Sequence, residues 1–269
     1  MIQRLKSGPM RHVKATKQLK STWSSIRRQI TPKIGQLTND AASIQRISSQ
    51  LHSLLVPPSP YPEEIYIPLL SSLAKAILLQ AETEVTASKT AAVPLAIVTK
   101  NLLGALPHFE DVLWAKLVQR VGGWGVPISI PPTDVNVDDS DSNQRFDEQS
   151  LRKAMGYRDV PAHQDEDDSG KQVTVPEHRE SQADYITRIS GIMRVYFLIL
   201  VGAGGMDRPM GAKVWQSGRF WGYFARMLGG CVGGGLKSAV AAEILHGTLS
   251  FHSPFAVITE HVLITYSQR

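Results

Sequence analysis

Two arginines, a proline and a lysine stand close together in Arg27-Arg28-Gln29-Ile30-Thr31-Pro32-Lys33. A helix carrying the arginines is predicted to end before Pro32, because proline has no backbone N–H and its ring crowds the preceding turn. The resulting bend lets two guanidiniums and an ammonium converge instead of spreading along a cylinder. Guanidinium forks offer paired donors to phosphate oxygens, so this segment predicts a polyanion site. Lys116 and Arg120 are four residues apart and share a helix face, and Lys89 falls in a predicted turn between two helices. In stacked helical hairpins the turns of successive pairs lie on one side. Arg27, Arg28, Lys33, Lys89, Lys116 and Arg120 are therefore expected along one edge. Cations gathered this way repel one another until a polyanion fills the gap, and salt weakens such binding.

Other chemistry finds no support. Glu260-His261 has no second histidine at metalloprotease spacing and reads as helix surface. The run Gly230 to Ser238 fails as a phosphate-binding loop: Leu236 separates Lys237 from the last glycine, and a helical pattern precedes it where a strand is required. Cys231, the single cysteine, has no basic neighbour nearer than Arg226 and reads as a small apolar group. One cysteine also excludes an internal disulfide framework and a multi-thiolate zinc site, which suits the cytosol or nucleus. No residue set is assigned to catalysis or to a metal.

The elements that position the cations are helical. In a chain of 269 residues with 42% apolar side chains, a sizeable core can form, and alternation typical of strands is rare. Thr38 or Asn39 is expected to cap a helix with Ile44, Ile47, Leu51, Leu54 and Leu55 at three- and four-residue steps. Pro62 opens a long second helix, Val93 to Ala105 forms a third, and a fourth opens at Pro107 and stops at Gly122-Gly123. A short helix is expected within Asp147–Gly156 and a strong one from Ser181 to Val201. Others follow at Ala212–Leu228, Lys237–His246 and Ser250–Ile264. The fold class is all-α, HEAT-like stacked hairpins forming an α-solenoid, without a sheet.

Charge divides the chain. Residues 1–33 carry nine Lys and Arg and no Asp or Glu, and the other 236 hold 20 bases and 24 acids. From Asp134 to Asp168 there are eleven acids and four bases, in a stretch too polar to repay its ordering entropy. The organisation read from this is a basic helix and bend at 1–33, then a helical domain at 34–269 interrupted by a flexible acidic insert at 134–180. No uncharged apolar run is long enough to cross a bilayer, and Met1 to Lys20 lacks the apolar core of a secretory signal. The C-terminal Phe251, Phe255, Val262 and Ile264 read as core or as a docking surface.

Several segments resemble the C-terminal domain of the nuclear-pore mRNA export mediator family known as Gle-one. They are Ile30-Thr31-Pro32-Lys33-Ile34-Gly35-Gln36-Leu37-Thr38-Asn39, Ala74-Lys75-Ala76, Gln80-Ala81-Glu82-Thr83-Glu84-Val85, Trp114-Ala115-Lys116-Leu117-Val118 and Arg188 to Tyr196. The resemblance implies a non-catalytic, HEAT-like domain that binds and stimulates a DEAD-box RNA-dependent ATPase at the cytoplasmic face of the nuclear pore, so that export factors leave messenger RNA. It implies inositol hexakisphosphate as the tether and an FG-repeat nucleoporin docking on the C-terminal part, with no DNA partner and no membrane insertion. It carries the inositol-phosphate site onto Arg27, Arg28, Lys33, Lys89, Lys116 and Arg120. Gln29 and Gln119 stand where the family has basic residues, and Lys89 is displaced by one position. The family's coiled-coil region does not occur in this sequence, so a domain of a longer protein is expected.

A competing reading takes residues 1–33 as a direct RNA-binding module. Its single aromatic, Trp23, argues against base stacking. A third reading is a structural adaptor whose basic cluster meets acidic side chains of a partner.

Overall fold

The computed structural model describes residues 8–59, 61–122, 152–153, 155–159, 163–166, 172–175, 179–201, 213–229, 243–244 and 246–247. Helix α1 (Pro9–Ala15) starts with proline in its first turn, where the missing N–H has no intrahelical partner. Thr16 is extended and separates it from α2 (Lys17–Gly35). The expected break before Pro32 does not occur: α2 continues through Pro32 to Gly35. The packing explains why. Ile30 and Ile34, on either side of the proline, are 1% and 2% exposed. Burying two such side chains is worth about 1.5–3 kcal/mol each, against about 3 kcal/mol for an interior proline.

Helix α3 (Ala41–Leu55) is capped by Asp40, whose carboxylate accepts from the Ser43 N–H at 2.9 Å, one or two residues after the expected Thr38 or Asn39. Its Ile44, Ile47, Leu51 and Leu55 are buried at the predicted spacing. Helix α4 (Glu63–Ala87) is the centre of the fold, and α1, α2 and α6 pack on it together with α7. By length and composition α4 could cross a membrane, but 67% of its most apolar window is buried against these neighbours. A 3-10 turn (Lys89–Ala91) leads into α5 (Ala92–Ala105), with Pro94 in the first turn as expected.

Helix α6 (Phe109–Val121) begins after His108, which takes the left-handed conformation at φ 62°, and ends at Gly122 with φ 87°. Helix α7 (Gln182–Val201) is buried along most of its length. It crosses α4 at Gly191, where a Cβ would lie 2.5 Å from the Ala81 carbonyl oxygen, so only glycine permits this approach. The expected helix at Ala212–Leu228 is two pieces, a 3-10 turn (Lys213–Trp215) and α8 (Ser217–Gly229). Phe197 of α7 packs against Phe220, Tyr223 and Phe224 of α8.

The architecture is that of stacked helices, as expected, with one exception. His163–Glu166 (β1) and Gln172–Val175 (β2) pair antiparallel, where the sequence reading had a flexible loop and no sheet. Val173-Thr174-Val175 supplies the β-branched residues that favour an extended backbone, and the ladder pairs the main-chain groups that face each other. Of the short helix at Asp147–Gly156, Arg152, Lys153 and Met155 are helical and Gly156 turns. Within Lys237–His246, positions 243, 244 and 246 are helical. The glycine-rich run with Cys231, and Ser250–Ile264 with Phe251, Phe255, Val262 and Ile264, lie outside the described residues.

Candidate functional site

The C-terminal half of α6 faces a cleft of about 710 Å³. Five cations line it: Lys75 from α4, Lys116 and Arg120 from α6, and Lys153 and Arg158 from within the long acidic stretch. Lys116 follows the buried side of α6 and donates to Gln119 Oε1 at 3.2 Å. Arg120, one turn on, leans towards α4 and donates both to Glu82 Oε1 at 2.9 Å and to Oε2 at 2.8 Å. Lys75 is exposed on α4 two turns before Glu82.

Buried carboxylates hold the arginines in place. Glu82, its side chain 2% exposed, accepts from Arg120 and Arg158 and has the Arg188 guanidinium at 3.9 Å. Burial pushes the Glu82 carboxyl above the usual carboxylate range, and Arg158 and then Arg188 act against that rise. Glu180 receives a two-pronged pair from Arg188, Nε to Oε1 at 2.7 Å and Nη2 to Oε2 at 2.8 Å. The same guanidinium donates to the Arg120 carbonyl at 3.0 Å and the Gly156 carbonyl at 2.9 Å, satisfying an oxygen that the end of α6 leaves without a helical partner. Asp159 takes two bonds from Arg152, at 2.5 and 2.6 Å, which hold its carboxyl below the usual range.

Two glycines let the returning chain reach α6. Gly122 and Gly156 both have positive φ, and a Cβ on Gly122 would sit 2.1 Å from the Met155 carbonyl oxygen. Tyr157 stacks on Tyr185 of α7 with centroids 3.9 Å apart, and Arg152 covers the outer face of Tyr157 at 4.1 Å. The Tyr185 hydroxyl donates to Met155 O at 2.8 Å. This clasp brings Lys153 and Arg158 into the lining of the same cleft as Lys116. Among the described lining residues five are cationic and none is acidic, and the Glu82 carboxylate behind them pairs with Arg120 and Arg158. Such a concavity is suited to a multiply charged anion.

Of the six residues predicted from sequence, Lys116 and Arg120 line this cleft. The other four are not among its lining residues. Arg27 and Arg28 are exposed on α2, Arg27 with its guanidinium 5.3 Å from the centroid of the Trp23 ring. Lys33 donates to Gln50 Oε1 of α3 at 3.1 Å. Lys89 is exposed and lines a second cleft of about 400 Å³ with Thr86, Thr187, Ser190, Arg194 and Glu243. The sequence reading missed Lys75, Lys153 and Arg158. Lys75, a lone cation between alanines in an apolar helix, carried a visible signal. Lys153 and Arg158 carried none, because the Gly122–Gly156 crossing that delivers them joins distant parts of the chain.

A family model described as GLE1-like protein matches residues 1–249. The mRNA export factor GLE1 of Saccharomyces cerevisiae is 34% identical over 107 residues, covering 40% of this chain and 20% of that protein. The mRNA export factor gle1 of Schizosaccharomyces pombe is 25% identical over 228 residues, covering 85% of this chain and 39% of that protein. The chain thus spans well under half the length of both relatives. Two solved structures of the S. cerevisiae Dbp5 C-terminal domain bound to Gle1 and IP6, one with a Gle1 variant, contain a chain of similar fold. The TM-score is 0.67 at 22% identity, over 91% of this chain and 73% of that one.

Proposed function

The chain belongs to the GLE1-like protein family, and from that premise we propose that it is the ATPase-binding part of an mRNA export factor, using inositol hexakisphosphate as its tether. Its partner in this reading is a DEAD-box RNA-dependent ATPase, bound through that enzyme's C-terminal domain, as in the complexes of similar fold. The place of action is the cytoplasmic face of the nuclear pore, with an FG-repeat nucleoporin docking on the C-terminal part.

The observation that supports the tether most directly is the five-cation cleft. Its volume of about 710 Å³ is in the usual range for small-ligand sites. Lys75, Lys116 and Lys153 would meet phosphates as point charges, and Arg120 and Arg158 as forks aimed by Glu82. With part of the ligand left outside, its remaining phosphates present a new anionic surface to the ATPase. Lys33 and Lys89, carried over by resemblance, would then meet the partner or the outer phosphates; Arg27 and Arg28, carried over with them, stand on α2 apart from the cleft lining.

Stimulation follows from binding alone. An activator that supplies no chemical group shifts its partner's equilibrium only by its differential affinity for the partner's conformations. A packed helical body that engages one arrangement of a two-lobed ATPase more tightly favours that arrangement and hastens release of RNA or product. Two measurements test the reading. Titration calorimetry should show saturable binding of inositol hexakisphosphate to this chain or to its complex with the ATPase. ATP turnover should rise when both are added, and an unchanged maximal rate would reject the activator role.

A further inference from the structure

A second concentration of positive charge lies away from the cleft. No acidic residue precedes Asp40 in the sequence. Arg11 and Lys14 on α1, and Lys17, Lys20, Arg27 and Arg28 on α2, are all exposed. None of the six has an ion-pair partner among the described residues. At the α-helical rotation per residue the four on α2 fall within about a third of the helix circumference, along a stripe about 16 Å long. The adjoining face carries Trp23, Ile26, Ile30 and Ile34, which are buried against the core. Trp23 fixes the rotation of α2 by donating to Ser72 Oγ of α4 at 3.2 Å.

The surroundings of the stripe narrow what it can bind. Gln18, Ser21, Thr22, Ser25 and Gln29, exposed beside it, are polar, and the exposed apolar neighbours are the small Ala15 and Pro32. Among the described residues the large exposed apolar ones are Val56, Leu79 and Trp221, and none is on α1 or α2. A membrane-surface helix needs an apolar face free to enter lipid, and here that face is occupied by the core. Protein interfaces rest on aromatic or aliphatic anchors at their centre, and this face has none. What suits a ribbon of cations and short hydroxyl or amide donors is a strand of regularly spaced phosphates, bound by counterion release. Trp23 is buried beneath Arg27 and offers no surface for a base to stack on.

We propose that the exposed basic face of α1 and α2 binds the phosphate backbone of a nucleic-acid strand without regard to sequence, as a site separate from the cleft. The strand is RNA on the role proposed above; the phosphate contact itself does not depend on that role. A strand held there would stay close to the ATPase that acts on it.

Fluorescence anisotropy of a labelled, unstructured oligouridine with the full 269-residue chain tests this, between roughly 50 and 200 mM salt. With six phosphate contacts the slope of log affinity against log salt should be about −4. The triple variant Lys14→Gln, Lys17→Gln, Lys20→Gln should fall to a slope of about −2. Circular dichroism should show it as helical as the parent, and its binding of inositol hexakisphosphate should be unaltered. A parent that fails to bind at the lowest salt, or a triple variant with the parent's slope, overturns the proposal. So does equal binding of polyglutamate or phosphatidylserine vesicles, and so does complete displacement of the oligouridine by one equivalent of inositol hexakisphosphate. Persistence of oligouridine binding at saturating inositol hexakisphosphate supports it. Loss of inositol hexakisphosphate binding in the parent would instead count against the cleft, leaving the strand-binding face to be judged on its own slopes.

Discussion

Two basic regions of this molecule differ in what surrounds the charge. Around α6, Lys75, Lys116, Arg120, Lys153 and Arg158 converge on a concavity, with Arg120 and Arg158 held by the buried carboxylate of Glu82. Along α1 and α2, cations in comparable number stand exposed on the helix surface with no carboxylate in that segment. Concave and propped charges are fixed before a ligand arrives, so they can prefer an anion of particular shape and lose little side-chain entropy on binding. Exposed, unpropped charges attract any polyanion and respond mainly to ionic strength.

The comparison is broken most severely by removing what holds the cleft together. Arg188→Ala leaves Glu180 buried without its partner and frees the carbonyls of Arg120 and Gly156. It is expected to cost about 3–5 kcal/mol, read as a lower Tm in scanning calorimetry. A loss below about 1 kcal/mol would mean the clasp is not structural. Next in size, Lys75→Gln with Lys116→Gln should weaken inositol hexakisphosphate by roughly tenfold per residue in titration calorimetry, since each removes a charge-assisted hydrogen bond. Equal weakening by the Lys14, Lys17 and Lys20 variants would erase the distinction between the two regions.

The response to pH sharpens it further. Arg152 holds the Asp159 carboxyl low, so that pair adds stability above the ordinary aspartate value, about 4, and loses it as pH falls through the depressed pKa. Glu82 runs the other way: its folded pKa is raised, so its contribution declines as pH climbs from the ordinary glutamate value through the raised one. Asp159→Asn is therefore expected to flatten the acid limb of a thermal-stability profile, and an unchanged limb would remove Asp159 from the clasp. The smallest effect expected is that of Ser72→Ala, which takes from Trp23 its hydrogen-bond acceptor. About 1 kcal/mol of stability should be lost, with inositol hexakisphosphate affinity unmoved.

Much of the fold was legible because helix periodicity and punctuation are local. Ile44, Ile47, Leu51 and Leu55 announced α3, Pro94 marked the start of α5, and Gly122 ended α6. The failures were also physical. Pro32 looked like a terminator because proline's backbone cost is local, whereas the burial of Ile30 and Ile34 that outweighs it is tertiary. Strand pairing within 163–175 was hidden because a two-stranded ladder needs a register more than it needs an apolar face. At the site, Lys116 and Arg120 were readable as neighbours on one helix, four residues apart. The third wall of the cleft was not readable.

The sequence by itself determined the helical class, the unequal division of charge and the candidacy of α6 for anion binding, because these depend on residue type and short spacing. Only the tertiary structure decided which cations meet. Glu82 sits 38 residues before Arg120 and 76 before Arg158: α6 packing on α4 brings the first, and two glycines with positive φ that let the returning chain touch the end of α6 bring the second. Coulomb attraction fixes the preference between charges, but long-range packing fixes the distance at which it acts.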